Sequence, residues 1–331
     1  MPSPVLNNRP VTGIDVHAHY LDPALRDLPG VPRLVVDREG GGRYVLGGRT
    51  IQPLPSGLWD PSRRLEELDG CGISHQVISP APVAMHYAWS ADPAYARAVN
   101  DSMAAVAEQS DGRLIGLGCL PSASAVEEVH RCRELGLSGI EVGTRIGDLD
   151  LDAPELAEVW AACEETGSSV FVHPIAQGRG VLRRDHRVLD LGVGQLADTA
   201  IAASSLLLGG VLERHPGLRV AFAHGCGAFA WCYPRIRVGS RFSGQGNGDE
   251  WDQVVRRIYA DALVFDAEHL RIVAHRFGPD RILLASDAPY LSGQLAKSLA
   301  TIDAAIESGA LPSDSRDIIL VDNALEFLGL Q

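Results

Sequence analysis

Eight short apolar runs, separated for most of the chain by amphipathic stretches of helical period, constrain the fold of this 331-residue chain more than any other feature. They are 12–19 (TGIDVHAH), 75–79 (HQVIS), 114–119 (LIGLGC), 139–142 (GIEV), 169–173 (SVFVH), 219–224 (RVAFAH), 258–264 (IYADALV) and 282–287 (ILLASD). Short apolar runs bounded by turn residues read as strands buried on both faces. Strands that alternate with helices imply a parallel sheet, and eight of them fit a closed (β/α)8 TIM barrel better than an open sheet. Such barrels take about 250 residues or more in one domain, so a single barrel domain over residues 1–331 is expected.

The helices carry their own signals. Asp152-Ala-Pro-Glu155 has the spacing of a capping box, with Leu156, Val159, Trp160 and Cys163 on one face and Gly167 past the end. Ser124-Ala-Val-Glu127 opens another helix, and Asp92-Pro93 caps a third. Between the first two strands, residues 22–58 are rich in Gly and Pro and contain a hairpin pattern, Arg43-Tyr-Val-Leu-Gly-Gly-Arg49. This stretch reads as an insertion over one face of the core.

Composition narrows the partners. A net charge of −13 argues against nucleic acid or an anionic membrane as the main partner, because both require a basic face. The six cysteines form no CxxC pair, and most lie in apolar runs, as buried free thiols do in a reducing compartment. The N-terminal residues lack the basic and apolar segments of a signal peptide, and no run approaches membrane-spanning length, so a cytoplasmic protein is expected.

Chemistry gathers at the strand ends. His17 and His19 sit two apart in the first run, and i, i+2 side chains in a strand project to the same face. His173, His224 and Asp287 each end a later run. In a (β/α)8 barrel these ends form one rim, where active sites are built. Imidazole nitrogens with a carboxylate suit zinc or a similar divalent ion, whereas calcium and magnesium favour oxygen-rich shells. Asp287 is open to two roles, ligand or proton carrier beside the metal. The remaining histidines (75, 86, 130, 186, 215, 269 and 275) start a strand or fall on helices and loops, and they receive no catalytic role.

The ordered series Asp15-Val-His-Ala-His19, Trp59-Asp-Pro61, Ser79-Pro-Ala-Pro-Val83, Phe171-Val-His-Pro174, Ala223-His-Gly-Cys-Gly227, Tyr259-Ala-Asp-Ala-Leu263, Ser286-Asp-Ala-Pro-Tyr290 and Asn323-Ala-Leu-Glu-Phe-Leu-Gly-Leu330 spans nearly the whole chain. It resembles the metal-dependent amidohydrolase superfamily, and within it the branch of aminocarboxymuconate semialdehyde decarboxylase. The hydroxybenzoate decarboxylases generally begin with Glu-x-His and carry a glutamate three residues after the fourth histidine. This chain has His17 and Gly227 at those places, which favours the muconate-semialdehyde branch.

The resemblance implies a zinc-dependent decarboxylase of a small unsaturated or aromatic carboxylic acid. It implies one zinc on His17, His19, His173 and Asp287, with His224 as the unliganded acid/base beside metal-activated water. It also implies a homodimer in which Arg235 reaches a substrate carboxylate near the neighbouring site, by the bidentate pairing that suits a guanidinium. A second arginine expected just before Trp59 is replaced by Pro55-Ser-Gly-Leu58, leaving Arg49 or Arg43 of the hairpin, or the loop cluster Arg179, Arg183, Arg184 and Arg187 around Asp185, to supply it. Ile175 stands where the related enzymes place an aromatic residue. Tyr290 is expected to face the substrate and Met85 with Trp89 to line the entrance. The alternative activity is a metal-dependent hydrolase or hydratase of a lactone, amide or conjugated acid.

Overall fold

In the computed structural model, residues 4–25, 28, 30–89, 92–175, 182, 186–243 and 248–330 are described. Strands Ile14–Asp15, His75–Pro80, Leu114–Gly118, Gly139–Gly143, Ser169–His173, Val220–Phe222, Tyr259–Asp261 and Ile282–Leu283 pair in chain order, every neighbour parallel. The first and last strands close the ring through Val16 N–H to the Leu284 carbonyl (2.8 Å), Asp287 N–H to the His17 carbonyl (2.8 Å) and His19 N–H to the Ala288 carbonyl (2.7 Å). The fold is a (β/α)8 barrel.

Strand residues are buried on both faces, as a parallel sheet covered by helices requires. The first, sixth, seventh and eighth strands are markedly shorter than their apolar runs, and for the first the reason is local. The first breaks after Asp15, whose carboxylate takes the His17 N–H (3.3 Å), and pairing resumes at His19–Tyr20. Beyond the sixth and eighth strands, His224 and Asp287 both adopt φ 56°, a left-handed backbone rare outside glycine. Such strain gathers at functional sites.

Two caps depart from the sequence pattern. The helix Ala157–Thr166 begins through a 3₁₀ turn at Pro154–Leu156 with no side-chain cap, although Leu156, Val159, Trp160 and Cys163 are buried as expected. Ser124 sits at φ 64°, and its hydroxyl caps nothing. Asp92 does cap its helix, accepting the Ala94 N–H at 2.9 Å.

Residues 33–54 form a three-stranded antiparallel sheet, Arg33–Val36, Gly42–Leu46 and Arg49–Leu54. Its second turn is Gly47-Gly48 with φ 55° and 78°, the conformation a tight hairpin demands. Leu34, Tyr44 and Leu54 anchor it to the main core.

One sequence expectation is corrected. Arg187–Leu208 is a continuous 22-residue helical segment containing an 18-residue stretch of mean hydropathy 1.4, long and apolar enough to cross a membrane by length and composition. Against the barrel it buries Ala200, Ala203, Leu206 and Leu207, while Val188, Leu191, Ile201 and Leu208 stay exposed. Its hydropathy therefore reflects two apolar faces, of which the barrel covers one.

Candidate metal centre

The alternation along the first strand brings His17 and His19 together with Nε2 atoms 3.3 Å apart and rings nearly perpendicular. Phe171 and His173 share a face of the fifth strand, which sets the His173 ring 5.0 Å from His17 and 4.7 Å from His19. The backbone turn at Asp287 aims its carboxylate back into the ring, with Oδ1 3.2 Å from His19 Nε2 and 3.5 Å from His17 Nε2. One donor atom from each of these four residues lies within 4.8 Å of the others.

These residues fit a divalent cation by their unmet bonding. His173 is 5% exposed, and neither of its ring nitrogens has a hydrogen-bond partner. Asp287 Oδ1 has only the two imidazole nitrogens of His17 and His19 near it, without hydrogen-bond geometry to either. Buried polar atoms are otherwise almost always satisfied. His17 Nδ1 is committed to Asp261 Oδ2 at 2.7 Å, so its neutral form turns an Nε2 lone pair toward His19 Nε2.

The titration directions agree. Burial pulls His17 down, but the hydrogen bond to Asp261, reinforced by Asp287, lifts it to about 9. Burial takes His19 down to about 4 against the pull of Asp287. His173 lies well below its ordinary value, from burial and from the neighbouring histidines. For Asp287 burial works upward, yet the neighbouring imidazoles of His19, His224 and His17 hold it well below the usual carboxylate range. At neutral pH, then, the cluster without metal keeps a proton on His17, where a cation is wanted.

An outer ring fixes the donors. Asp261 ends the seventh strand and also accepts the Gly225 N–H (2.9 Å), which ties the His224 loop to the His17 ring. Asp15 accepts from Gln76 Nε2 (2.8 Å) and from the Ser286 hydroxyl (2.5 Å), and Arg64 donates to Gln76 Oε1 (3.1 Å). Burial raises Asp15 to about 6, opposed by Ser286 and Gln76. Glu141 lies 3.9 Å from His19 Nδ1 with burial lifting it to about 8, so it is mostly protonated at neutral pH. Asp261 and Glu141 escaped the sequence reading although Asp261 ends its strand like the others, because a carboxylate at a strand end carries no ligand spacing of its own.

His224 stands beside the four donors rather than among them, with Nε2 3.9 Å from Asp287 Oδ2 and its ring 5.4 Å from His173. Its loop needs glycine: at Gly227, φ 56°, a Cβ would fall 2.3 Å from the Leu196 carbonyl oxygen. Tyr290 faces the cluster, 5.5 Å from the His19 ring, and its hydroxyl meets that of Tyr44 at 3.4 Å. Met85, Trp89 and Ile175 line the adjoining cavity, as does Arg145, which the sequence reading missed.

Among the described residues, the other arginines of the sequence reading do not line that cavity. Arg49 begins its strand beside the Gly47-Gly48 turn, exposed, while Arg43 pairs with Asp37 at 3.6 Å. Arg235 is exposed on the helix Phe229–Ser243. Arg179, Arg183, Arg184 and Asp185 lie outside the described residues, and Arg187 opens a helix.

The amidohydrolase family model matches residues 14–330. The 2-amino-3-carboxymuconate-6-semialdehyde decarboxylase of Dictyostelium discoideum is 33% identical over 334 residues, covering 96% of this chain and 91% of that one. The 6-methylsalicylic acid decarboxylase of Penicillium expansum is 26% identical over 301 residues, covering 83% and 84% respectively. The crystal structure of Metarhizium anisopliae IDCase in apo form superposes with a TM-score of 0.81 at 22% identity, covering 96% of this chain and 97% of that one. The chain belongs to the amidohydrolase family, as an enzyme of its aminocarboxymuconate semialdehyde decarboxylase-like branch.

Proposed function

We propose that this enzyme decarboxylates a small unsaturated or aromatic carboxylic acid, with one zinc ion held by His17, His19, His173 and Asp287. The observation that carries the metal assignment is the pair of unpartnered nitrogens on His173, buried within 4.8 Å of three other donor atoms. Three imidazoles and a carboxylate suit zinc. Bound there, the ion acts as a Lewis acid and lowers the pKa of water to about 7.

The chain's own residues supply the rest. His224 is 12% exposed, outside the donor set and on a strained loop, placed to accept a proton during turnover and return it to the product. Asp261 holds the His17 ring in one orientation through Nδ1, leaving Nε2 for the ion. The apolar wall of Met85, Trp89 and Ile175 excludes water from a planar substrate body, and Tyr290 closes the side toward the inserted sheet. The named acids of the relatives, a muconate semialdehyde and a methylsalicylate, support a conjugated or aromatic substrate that holds the electrons left when carbon dioxide departs.

A homodimer belongs to the same proposal. On the helix Phe229–Ser243, Trp231 (77% exposed), Val238 (48%) and Phe242 (86%) share one face with Arg235. An exposed apolar stripe of that kind marks an interface, and Arg235 would be carried by it toward the partner's site.

The test is metal analysis of zinc-reconstituted protein followed by assay of conjugated and aromatic acids for carbon dioxide release. About one equivalent of zinc per chain with stoichiometric release is expected. Water uptake without loss of carbon would instead make the enzyme a hydratase or hydrolase, and under about half an equivalent of metal would remove the four-donor assignment.

A further inference from the structure

We propose that Arg145 binds a carboxylate that the substrate keeps, so that the site selects acids with a second anionic group besides the one lost. The inference rests on the decarboxylase reading above and names its substrate class more closely.

The cavity beside the donor cluster has a volume of about 340 Å3 including its mouth, and Met85, Trp89, Leu120, Glu141, Arg145 and Ile175 are among the residues that line it. It meets the cluster through Glu141, 3.9 Å from His19, and through Ile175, two residues past His173. Among the described residues Arg145 is the one arginine in its lining. Its Nε is buried without a partner, and among the described residues its guanidinium makes no hydrogen bond or ion pair. A guanidinium presents five donors in a planar fork and is normally paired when withdrawn from water, so one left unpaired against a cavity calls for an acceptor inside it.

The position is rigid, and no acid among the described residues pairs with it. Arg145-Ile146 pairs antiparallel with Leu149-Asp150 in a short ribbon directly after the fourth strand. Thr144 is pinned by its hydroxyl to the buried Asp198 at 2.5 Å, which removes that carboxylate as a partner. Glu141 lines the same cavity, 3.9 Å from His19 Nδ1, and forms no ion pair with the guanidinium. The surrounding Met85, Trp89, Leu120, Ile146 and Ile175 offer apolar area to a flat conjugated body.

Which carboxylate Arg145 holds follows from the reaction. A guanidinium on the departing carboxylate would stabilise the ground state more than the transition state, in which that charge is dispersing, and would slow the step. Pairing with a retained carboxylate orients the acid at no such cost.

The experiment is calorimetric titration of the zinc-loaded full-length protein with isophthalate and with 3-carbamoylbenzoate, which has the same outline and one charge fewer. Isophthalate is expected to bind at least about tenfold tighter, in line with a charge-assisted pair. In Arg145→Met that preference should vanish while zinc content and 3-carbamoylbenzoate affinity stay within about twofold, and Arg145→Lys should restore part of it. Equal affinities in the wild type, no binding of either acid, or a preference surviving in Arg145→Met would each overturn the proposal. Should Arg145→Met not fold, Arg145→Lys decides, since an unchanged preference there removes the bidentate pairing. Failure of the decarboxylase reading shows separately, as an intact isophthalate preference with no carbon dioxide released from any acid.

Discussion

The donor cluster and the cavity wall beside it adjoin through Glu141, yet they are held by opposite means. In the cluster the donors come from the ends of barrel strands, and hydrogen bonds between side chains fix the residues around them: Asp261 on His17, Gln76 and Ser286 on Asp15. On the wall, Arg145 stands on a two-residue ribbon and Trp89 ends a short helix, with apolar contact in place of hydrogen bonds. The first construction fixes chemistry and tolerates little change. The second leaves recognition free to vary, which is why one barrel serves many substrates.

The sharpest way to break this contrast is His224→Asn. Placed beside the donors, His224 should be needed for turnover and not for metal. A loss of about 10²–10⁴-fold in kcat with zinc content unchanged is expected, the range for removing a positioned general acid or base. Elemental analysis alongside kinetics checks it, and loss of zinc with activity would move His224 into the donor set.

Next in size is a dependence on pH that the wall should not show. His17 is lifted from 6.5 to about 9 in the folded chain without metal, so its contribution to stability is complete below pH 6.5 and fades as pH rises through 9. Glu141, lifted from 4.5 to about 8, also favours the folded state when protonated, and its contribution fades by pH 8. Chelator-treated protein should therefore lose on the order of 5 kcal/mol between pH 6.5 and 9, at about 1.4 kcal/mol per unit for each group while it titrates. Metal binding requires deprotonated ligands, so the stability gap between zinc-loaded and chelated protein should widen over the same window. Denaturant titration at both pH values reads this, and a flat chelated curve would contradict the cluster's titration.

Asp261→Asn tests the outer ring. It keeps the size of the side chain but removes the charge that orients His17, and zinc affinity is expected to fall about 10–100-fold, measured by competition with a chromogenic chelator. An unchanged affinity would make the ring packing rather than tuning.

How much of this is legible in the sequence follows the same division. Eight apolar runs ending in His17, His19, His173, His224 and Asp287 suffice for the barrel and its rim, because strand alternation and barrel topology act through local pattern. Glu141 and Arg145 have no such marker: one becomes notable only once burial lifts it, the other only once the fold leaves it unpaired. The caps at Ser124 and Asp152 misled for a related reason. Their residue types suit an N-cap, but a left-handed backbone at Ser124 and a proline-led 3₁₀ turn after Asp152 direct the chain into the helix without them.

The inserted sheet offers the smallest test, because it meets the site through one weak link. Tyr44 is 4% exposed and its hydroxyl lies 3.4 Å from that of Tyr290, at the long end for a hydrogen bond between hydroxyls. Tyr44→Phe keeps the buried ring and removes only that link, so stability should change by about 0.5 kcal/mol and KM by about two- to threefold, with zinc content unaffected. If KM rose tenfold or more at constant kcat, the sheet would be part of the recognition wall, and Tyr290 would depend on residues 33–54 for its orientation. A null result would place recognition on the barrel's own loops, with Arg145 and Trp89, and leave the insertion as a cover over the core.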